Sequence, residues 1–188
     1  MAKVKYKQPT LFKLPELQDY FVIISPSEEV KGETKKLKNK LYKLIGRKIE
    51  NEYATAHISL FKTKYEIDNH LLDKLKKSLA DVKPFTIAVD QADTLLNGTT
   101  RKTLCLKIDD PKPIQAMFEN ISEEFKFKKE IAPFLTVEQN LPVADFEKLG
   151  ADLTAFNFKG EWICDRITVL KMNQKKNTYK VVEEIILN

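Results

Sequence analysis

The chain is short of the residues that build metal centres and disulfide frameworks. Its 188 residues include two histidines and two cysteines. Structural zinc takes about four nitrogen or sulfur ligands at close spacing. His57 and His70 stand in no such cluster, so zinc is not expected. Cys105 and Cys164 lie in separate strand-like runs with no CxxC spacing. That predicts two buried free thiols in a reducing, cytoplasmic setting rather than a disulfide or a metal pair. No apolar run approaches the roughly 20 residues that span a bilayer, so no membrane partner is expected. The opening Met1-Ala2-Lys3-Val4-Lys5-Tyr6 runs straight into polar sequence, which predicts no secretory signal.

What is present suits one folded unit. Hydrophobic residues make up 43% of the chain, enough at this length to bury roughly 70% of the unfolded surface. Residues 1–18 are polar, contain Pro9 and Pro15, and read as an N-terminal extension over the surface. Residues 19–188 read as a single domain. The net charge of +5 and pI near 9.0 favour encounter with a phosphate-bearing partner without specifying one.

Tyr53–Phe61 organises the rest. It reads Tyr-Ala-Thr-Ala-His-Ile-Ser-Leu-Phe, a strand by composition. Alternation places His57 with Thr55, Ser59 and Phe61 on one face, and Ala56, Ile58 and Leu60 on the other. An imidazole moves protons near neutral pH, and a hydroxyl beside it can donate to an anionic oxygen. The simpler reading of His57 is a core histidine bonded to backbone.

In order along the chain, Asp19–Pro26 is a buried strand and residues 28–48 are helical. Leu37, Leu41, Leu44 and Ile45 form that helix's apolar stripe, and Lys35, Lys36, Lys38, Lys40, Lys43, Arg47 and Lys48 cover the rest. These lysines read as a solvated face. The spacing of Ile67, Leu71, Leu75 and Leu79 predicts a second helix over 66–82, with His70 on its polar side. Phe85–Asp90 is a strand, Thr94–Leu96 extends the same or a neighbouring strand to an Asn97-Gly98 hairpin, and a return strand follows from Thr103. Asp109 and Asp110 read as partners of a helix start, and that helix runs to Phe125. After a strand at Ile131–Gln139, the pattern predicts a helix over 141–156, one strand over 161–172, and a last strand over 178–187.

Ile131–Gln139 echoes the first stretch. His57-Ile-Ser59-Leu aligns with Phe134-Leu-Thr136-Val, the hydroxyl and apolar positions matching and the histidine replaced. Each stretch is followed by a helix and by a strand, ending in Thr94-Leu95 and in Thr168-Val169. Here the chain resembles the 2H phosphoesterases, which include 2′-5′ RNA ligase-like proteins and cyclic phosphodiesterases. That family carries one His-x-Thr/Ser motif in each half of a duplicated fold. The resemblance covers residues 19–187. It implies an α+β, bilobal fold, with two mainly antiparallel sheets lining a central groove and helices packed outside.

The resemblance also implies a chemistry. Two imidazoles flank a phosphodiester, one as base and one as acid, while the motif hydroxyls hold its oxygens. Such a reaction needs no metal or other cofactor, because positioned donors meet the phosphate charge and histidine handles the protons. Carried over, His57 is the surviving acid/base, and Ser59 and Thr136 bind phosphate. Phe134 replaces the second imidazole; it can stack on a base but cannot move a proton. Glu138, two positions after Thr136, is the candidate substitute acid, and Lys62 and Lys64 can add positive charge. The implied partner is a phosphodiester or cyclic phosphate, RNA ends included, taken by a monomer. The implied function is an enzyme acting on 2′,3′-cyclic phosphates or 2′-5′ linkages with an impaired acid/base pair. The alternative is a non-catalytic module that binds a nucleotide, RNA or a protein in the same groove.

Overall fold

The apolar run before Pro26 forms strand β1 (Gln18–Ile24), and it lies inside the sheet rather than at an edge. The description rests on a computed structural model and covers residues 17–47, 55–128, 130–150 and 152–188. Residues 1–16 of the extension expected over 1–18, Tyr53 and Ala54 of the motif strand, and Lys48 of the first helix fall outside those residues, while Gln18 already belongs to β1.

Helix α1 (Glu28–Ile45) starts where Ser27 Oγ accepts the Val30 N–H at 3.3 Å, with Glu28 and Glu29 in the first turn. It stops at Gly46, whose φ of 77° is the left-handed cap conformation that glycine adopts without strain. The buried side of α1 is rotated from the expected stripe. Leu44 is 51% exposed, while Val30, Thr34, Lys38, Leu41, Tyr42 and Ile45 are buried. Lys38 therefore belongs to the inner face, not the solvated one.

Strand β2 (Ile58–Tyr65), helix α2 (Asp68–Leu79), strands β3 (Phe85–Asn97) and β4 (Arg101–Ile108), helix α3 (Lys112–Phe125) and strand β5 (Phe134–Pro142) follow. The runs after Pro84 form one continuous strand, β3, and Gly98 (φ 69°) sits in its turn to β4. The long helix expected over 141–156 does not form. Leu141 closes β5, α4 (Val143–Glu147) makes little more than one turn, and Thr154–Phe156 is a 3-10 turn. Pro142 lacks an N–H, and Gly150 at φ 74° breaks the chain direction. The single strand expected over 161–172 divides at Asp165 into β6 (Gly160–Cys164) and β7 (Arg166–Asn173). Strand β8 (Thr178–Ile186) completes the chain.

Among the described residues all pairings are antiparallel, in one sheet of order β6-β3-β4-β5-β2-β1-β7-β8. Two separate sheets were expected. The halves join because β2 and β5 pair, through Ile58 opposite Leu135. Outward from that seam the halves read β2-β1-β7-β8 and β5-β4-β3-β6. Each inner strand leads through a helix to the third strand of the opposite half: β2 by α2 to β3, and β5 by α4 to β7, with β6 on the way. Only Asp165 separates β6 from β7 in sequence, although they lie towards opposite ends of the order. The sheet must therefore curl.

The register sorts residues by face. Tyr20, Val22, Ile24, Ile58, Leu135, Leu106 and Leu104 share one side. This is the helix side: the Tyr20 hydroxyl donates to Asp68 at the start of α2, and Phe61 packs its ring on Phe118 and Phe125 of α3. Phe21, Ile23, Ser59, Phe134, Thr136 and Cys105 share the other side, inside the curl.

Ile58 is fully buried at the seam. Ile58→Ala should cost about 2–5 kcal/mol, as for other large-to-small core changes, read as a lowered urea midpoint with unchanged slope. A loss below about 1 kcal/mol would mean that the halves hold together without this contact.

Candidate functional site

The two motif stretches meet at the seam. The Thr136 N–H donates to the His57 carbonyl at 3.2 Å, carrying the pairing one residue beyond Ile58 and Leu135. In this antiparallel register His57 stands across from Thr136, and Ser59 across from Phe134. All four project opposite to Ile58 and Leu135. His57 itself precedes β2 rather than lying within it.

The His57 ring is tightly held. Its Nδ1 lies 2.9 Å from the Thr55 carbonyl. A carbonyl only accepts, so Nδ1 carries the proton in the neutral ring and Nε2 carries the lone pair. Phe21 of β1 meets the ring edge-on at 5.2 Å, and Lys62 of β2 stands over Phe21 at 4.8 Å. Burial pushes the imidazole below its ordinary pKa, and the positive charges of Lys62 and Lys38 push the same way, against the Thr55 carbonyl. The ring is thus set up to accept a proton rather than to donate one.

Two register shifts re-aim side chains that simple alternation misassigns. In β2, Phe61 opposes Val22 while Ser59 opposes Ile23, so Leu60 is an extra residue in a bulge. Phe61 accordingly turns to the helix side, away from His57. In β5, Thr136 opposes Cys105 while Glu138 opposes Leu104, so Val137 is extra. Glu138 follows Leu104 to the helix side and leaves the face of Phe134 and Thr136. It is 1% exposed. Its Oε2 accepts the Tyr42 hydroxyl at 2.5 Å and lies 3.2 Å from Lys38 Nζ, and its Oε1 accepts the Gln139 N–H at 3.1 Å.

Lys38 and Tyr42 are the residues that sequence reasoning missed. A signal was present: Val30, Thr34, Lys38 and Tyr42 fall four apart on one helical face. Elsewhere inside the curl, Lys107 pairs across from Phe134 and reaches Asp93 at 3.4 Å. Cys105 and Cys164 are buried free thiols, and burial raises each to about 12, which makes them inert.

The family model of the 2′-5′ RNA ligase superfamily matches residues 26–176. The chain belongs to that superfamily. Among solved structures, apo E. coli LigT superposes with a TM-score of 0.65 at 16% identity, covering 92% of this chain and 99% of LigT. The TT0787 protein of Thermus thermophilus superposes at 0.59 with 18% identity, covering 90% and 97%. Usb1 of Kluyveromyces marxianus gives 0.53 with 11% identity, covering 92% and 99%. At these identities the likeness is one of fold. No curated protein matches the chain in sequence. In this 2′-5′ RNA ligase superfamily member, the His57–Ser59 and Phe134–Thr136 stretches face one another at the centre of the curled sheet. Among the described residues no helix is long and apolar enough to cross a membrane.

The imidazole environment has a direct readout. In an NMR titration His57 should change charge below the ordinary 6.5, with the Nδ1–H tautomer dominant above that pH. The unfolded chain takes up this proton first as the pH falls through about 6.5, so His57 removes stability on the acid side. A midpoint at or above 6.5 would contradict a half-buried ring desolvated at the seam.

Proposed function

We propose that this protein binds a nucleotide or RNA-end phosphodiester across the β2–β5 seam and processes it with one histidine. The classes to test first are 2′,3′-cyclic phosphates and 2′-5′ linkages. The observation that carries this reading is the Thr136–His57 backbone bond of 3.2 Å, which supports placing both motif hydroxyls beside one imidazole. The solved complexes of E. coli LigT with phosphate and with 3′-AMP support the ligand class.

In this reading Nε2 of His57 takes the proton from an attacking water or ribose hydroxyl. The new bond forms at phosphorus, and the opposite P–O bond breaks. Ser59 and Thr136 donate to the non-bridging oxygens, where negative charge accumulates. The departing oxygen collects its proton from solvent, because Phe134 stands where a second imidazole would supply it. A positioned acid is worth roughly 10²–10⁴-fold, so turnover is slow while binding persists. The second reading, a binding module without catalysis, is favoured by the same Phe134, whose ring can stack on a base.

The test is turnover of 2′,3′-cyclic nucleotides and a 2′-5′-linked dinucleotide by the wild type, His57→Ala and Phe134→His. We expect slow turnover that His57→Ala removes and Phe134→His raises by about 10²-fold or more. Turnover absent from both wild type and Phe134→His, with nucleotide still bound, would replace the enzyme reading by the binding one. Failure to bind any nucleotide would end both.

A further inference from the structure

The two motif strands share a bulge one residue after the motif hydroxyl, at Leu60 in β2 and at Val137 in β5. Beyond it, Phe61 and Glu138 turn to the helix side, and the next residue of each strand returns to the inside of the curl. In β2 that residue is Lys62, which pairs across from Phe21. In β5 it is Gln139. The repeat therefore sets a cation on the histidine half of the inner face and a neutral amide at the matching position of the other half.

Lys62 differs from its neighbours on that face. Lys64 lies 3.4 Å from Asp19, and Lys107 lies 3.4 Å from Asp93. Lys62 has no carboxylate partner among the described residues. Its ammonium stands 4.8 Å from the centre of the Phe21 ring and 6.0 Å from that of Tyr179, and the two rings are 5.6 Å apart. Ring faces attract a cation through their quadrupole but leave its charge uncancelled. Lys62 is exposed, so the rings hold an accessible charge over the sheet. The same Phe21 ring meets the His57 ring edge-on at 5.2 Å. One aromatic ring thus joins the base to the cation, and the two spans laid end to end put the ammonium at most about 10 Å from the imidazole.

We propose that Lys62 holds a second phosphate of the ligand, the 5′-phosphate of the nucleotide whose 2′,3′-phosphate lies at the seam. The site then takes an RNA strand end, which carries that 5′-phosphate, in preference to a nucleoside cyclic phosphate, which lacks it. The inference rests on the proposed reading of the seam as a phosphate site. Both phosphates hang from one ribose, and the span between imidazole and ammonium accommodates them. An ammonium meets a phosphate as a point charge and needs no fixed fork geometry. Direction follows as well. The cation leans over β1 towards β8, and the Phe134 half offers Gln139 instead, so the strand leaves the seam across β1 rather than across β4.

The experiment compares two ligands with the same base: adenosine 2′,3′-cyclic phosphate with and without a 5′-phosphate. Calorimetry at low salt measures their binding to the full chain as wild type, Lys62→Met, Lys62→Arg and Lys64→Met, with phosphorus NMR checking that each ligand stays intact. We expect wild type, Lys62→Arg and Lys64→Met to favour the 5′-phosphorylated ligand by about tenfold or more, the contribution of one charge-assisted contact. Lys62→Met should lose that preference and bind the other ligand as wild type does. Its log–log salt slope for the 5′-phosphorylated ligand should shrink by about 0.7, one phosphate contact on a single strand. A preference absent from wild type, or kept in Lys62→Met, overturns the proposal. An equal loss for both ligands in Lys62→Met also overturns it, by putting the lysine on the seam phosphate. Binding of both ligands without discrimination ends this proposal alone, whereas failure of all four proteins to bind either ligand ends the seam reading and this proposal with it.

Discussion

One backbone hydrogen bond, from the Thr136 N–H to the His57 carbonyl, fixes where the two halves of the sheet meet. Everything placed at the centre depends on it. A slip of one residue between β2 and β5 would send His57 and Ser59 to the helix side and bring Ile58 inside the curl. That slip is resisted by burial: Ile58, Leu135, Ile24 and Leu106 are fully enclosed across four adjacent strands. The apolar side of the seam thus sets the register, and the polar side inherits its geometry. Behind the sheet, Lys38 and Tyr42 on Glu138 tie α1 to β5, and Arg47 on Asp145 ties the end of α1 to α4.

The electrostatics of the inside face follow from the same arrangement. His57 is partly desolvated, which holds its pKa below the ordinary 6.5 and leaves the ring neutral at physiological pH. A neutral ring with its lone pair on Nε2 suits the base half of a two-histidine reaction. The acid half needs a charged ring, and Phe134 cannot provide one. A factor of 10²–10⁴ corresponds to roughly 3–5.5 kcal/mol of barrier. In the proposed reading, losing that much slows chemistry severely but leaves the hydroxyl and backbone donors available to a phosphate.

Much of this was legible in the residues. The His57-x-Ser59 and Phe134-x-Thr136 echo marked the two stretches that meet at the seam. The stripe of α2 gave its buried face, Leu71, Leu75 and Leu79. The errors have a common cause. Alternation at period 2 holds only while the ladder is regular, and one extra residue reverses it. Leu60 and Val137 look like ordinary strand residues, and nothing local marks them as bulges. Phe61 and Glu138, just beyond them, were consequently assigned to the wrong side of the sheet. The helix expected over 141–156 failed for a local reason, since Pro142 and Gly150 were visible and outweigh the apolar spacing of Phe146, Leu149 and Leu153. The break at Asp165 had no such mark. It is imposed by the curl, which sends two adjacent five- and eight-residue strands to different parts of one sheet.

Lys38 shows how these two levels connect. Read along the helix it was one lysine among many, and composition placed it in solvent. Read along the sheet, Glu138 was a carboxylate beside the motif. Each reading leaves one charge in an unsuitable place: a lysine on the buried face of α1, or a carboxylate beside a phosphate it would repel. Together they resolve, because the bulge at Val137 carries the carboxylate through the sheet to the lysine. A single inserted residue thereby moves a negative charge off the face of His57 and Thr136 and compensates a positive one behind the sheet.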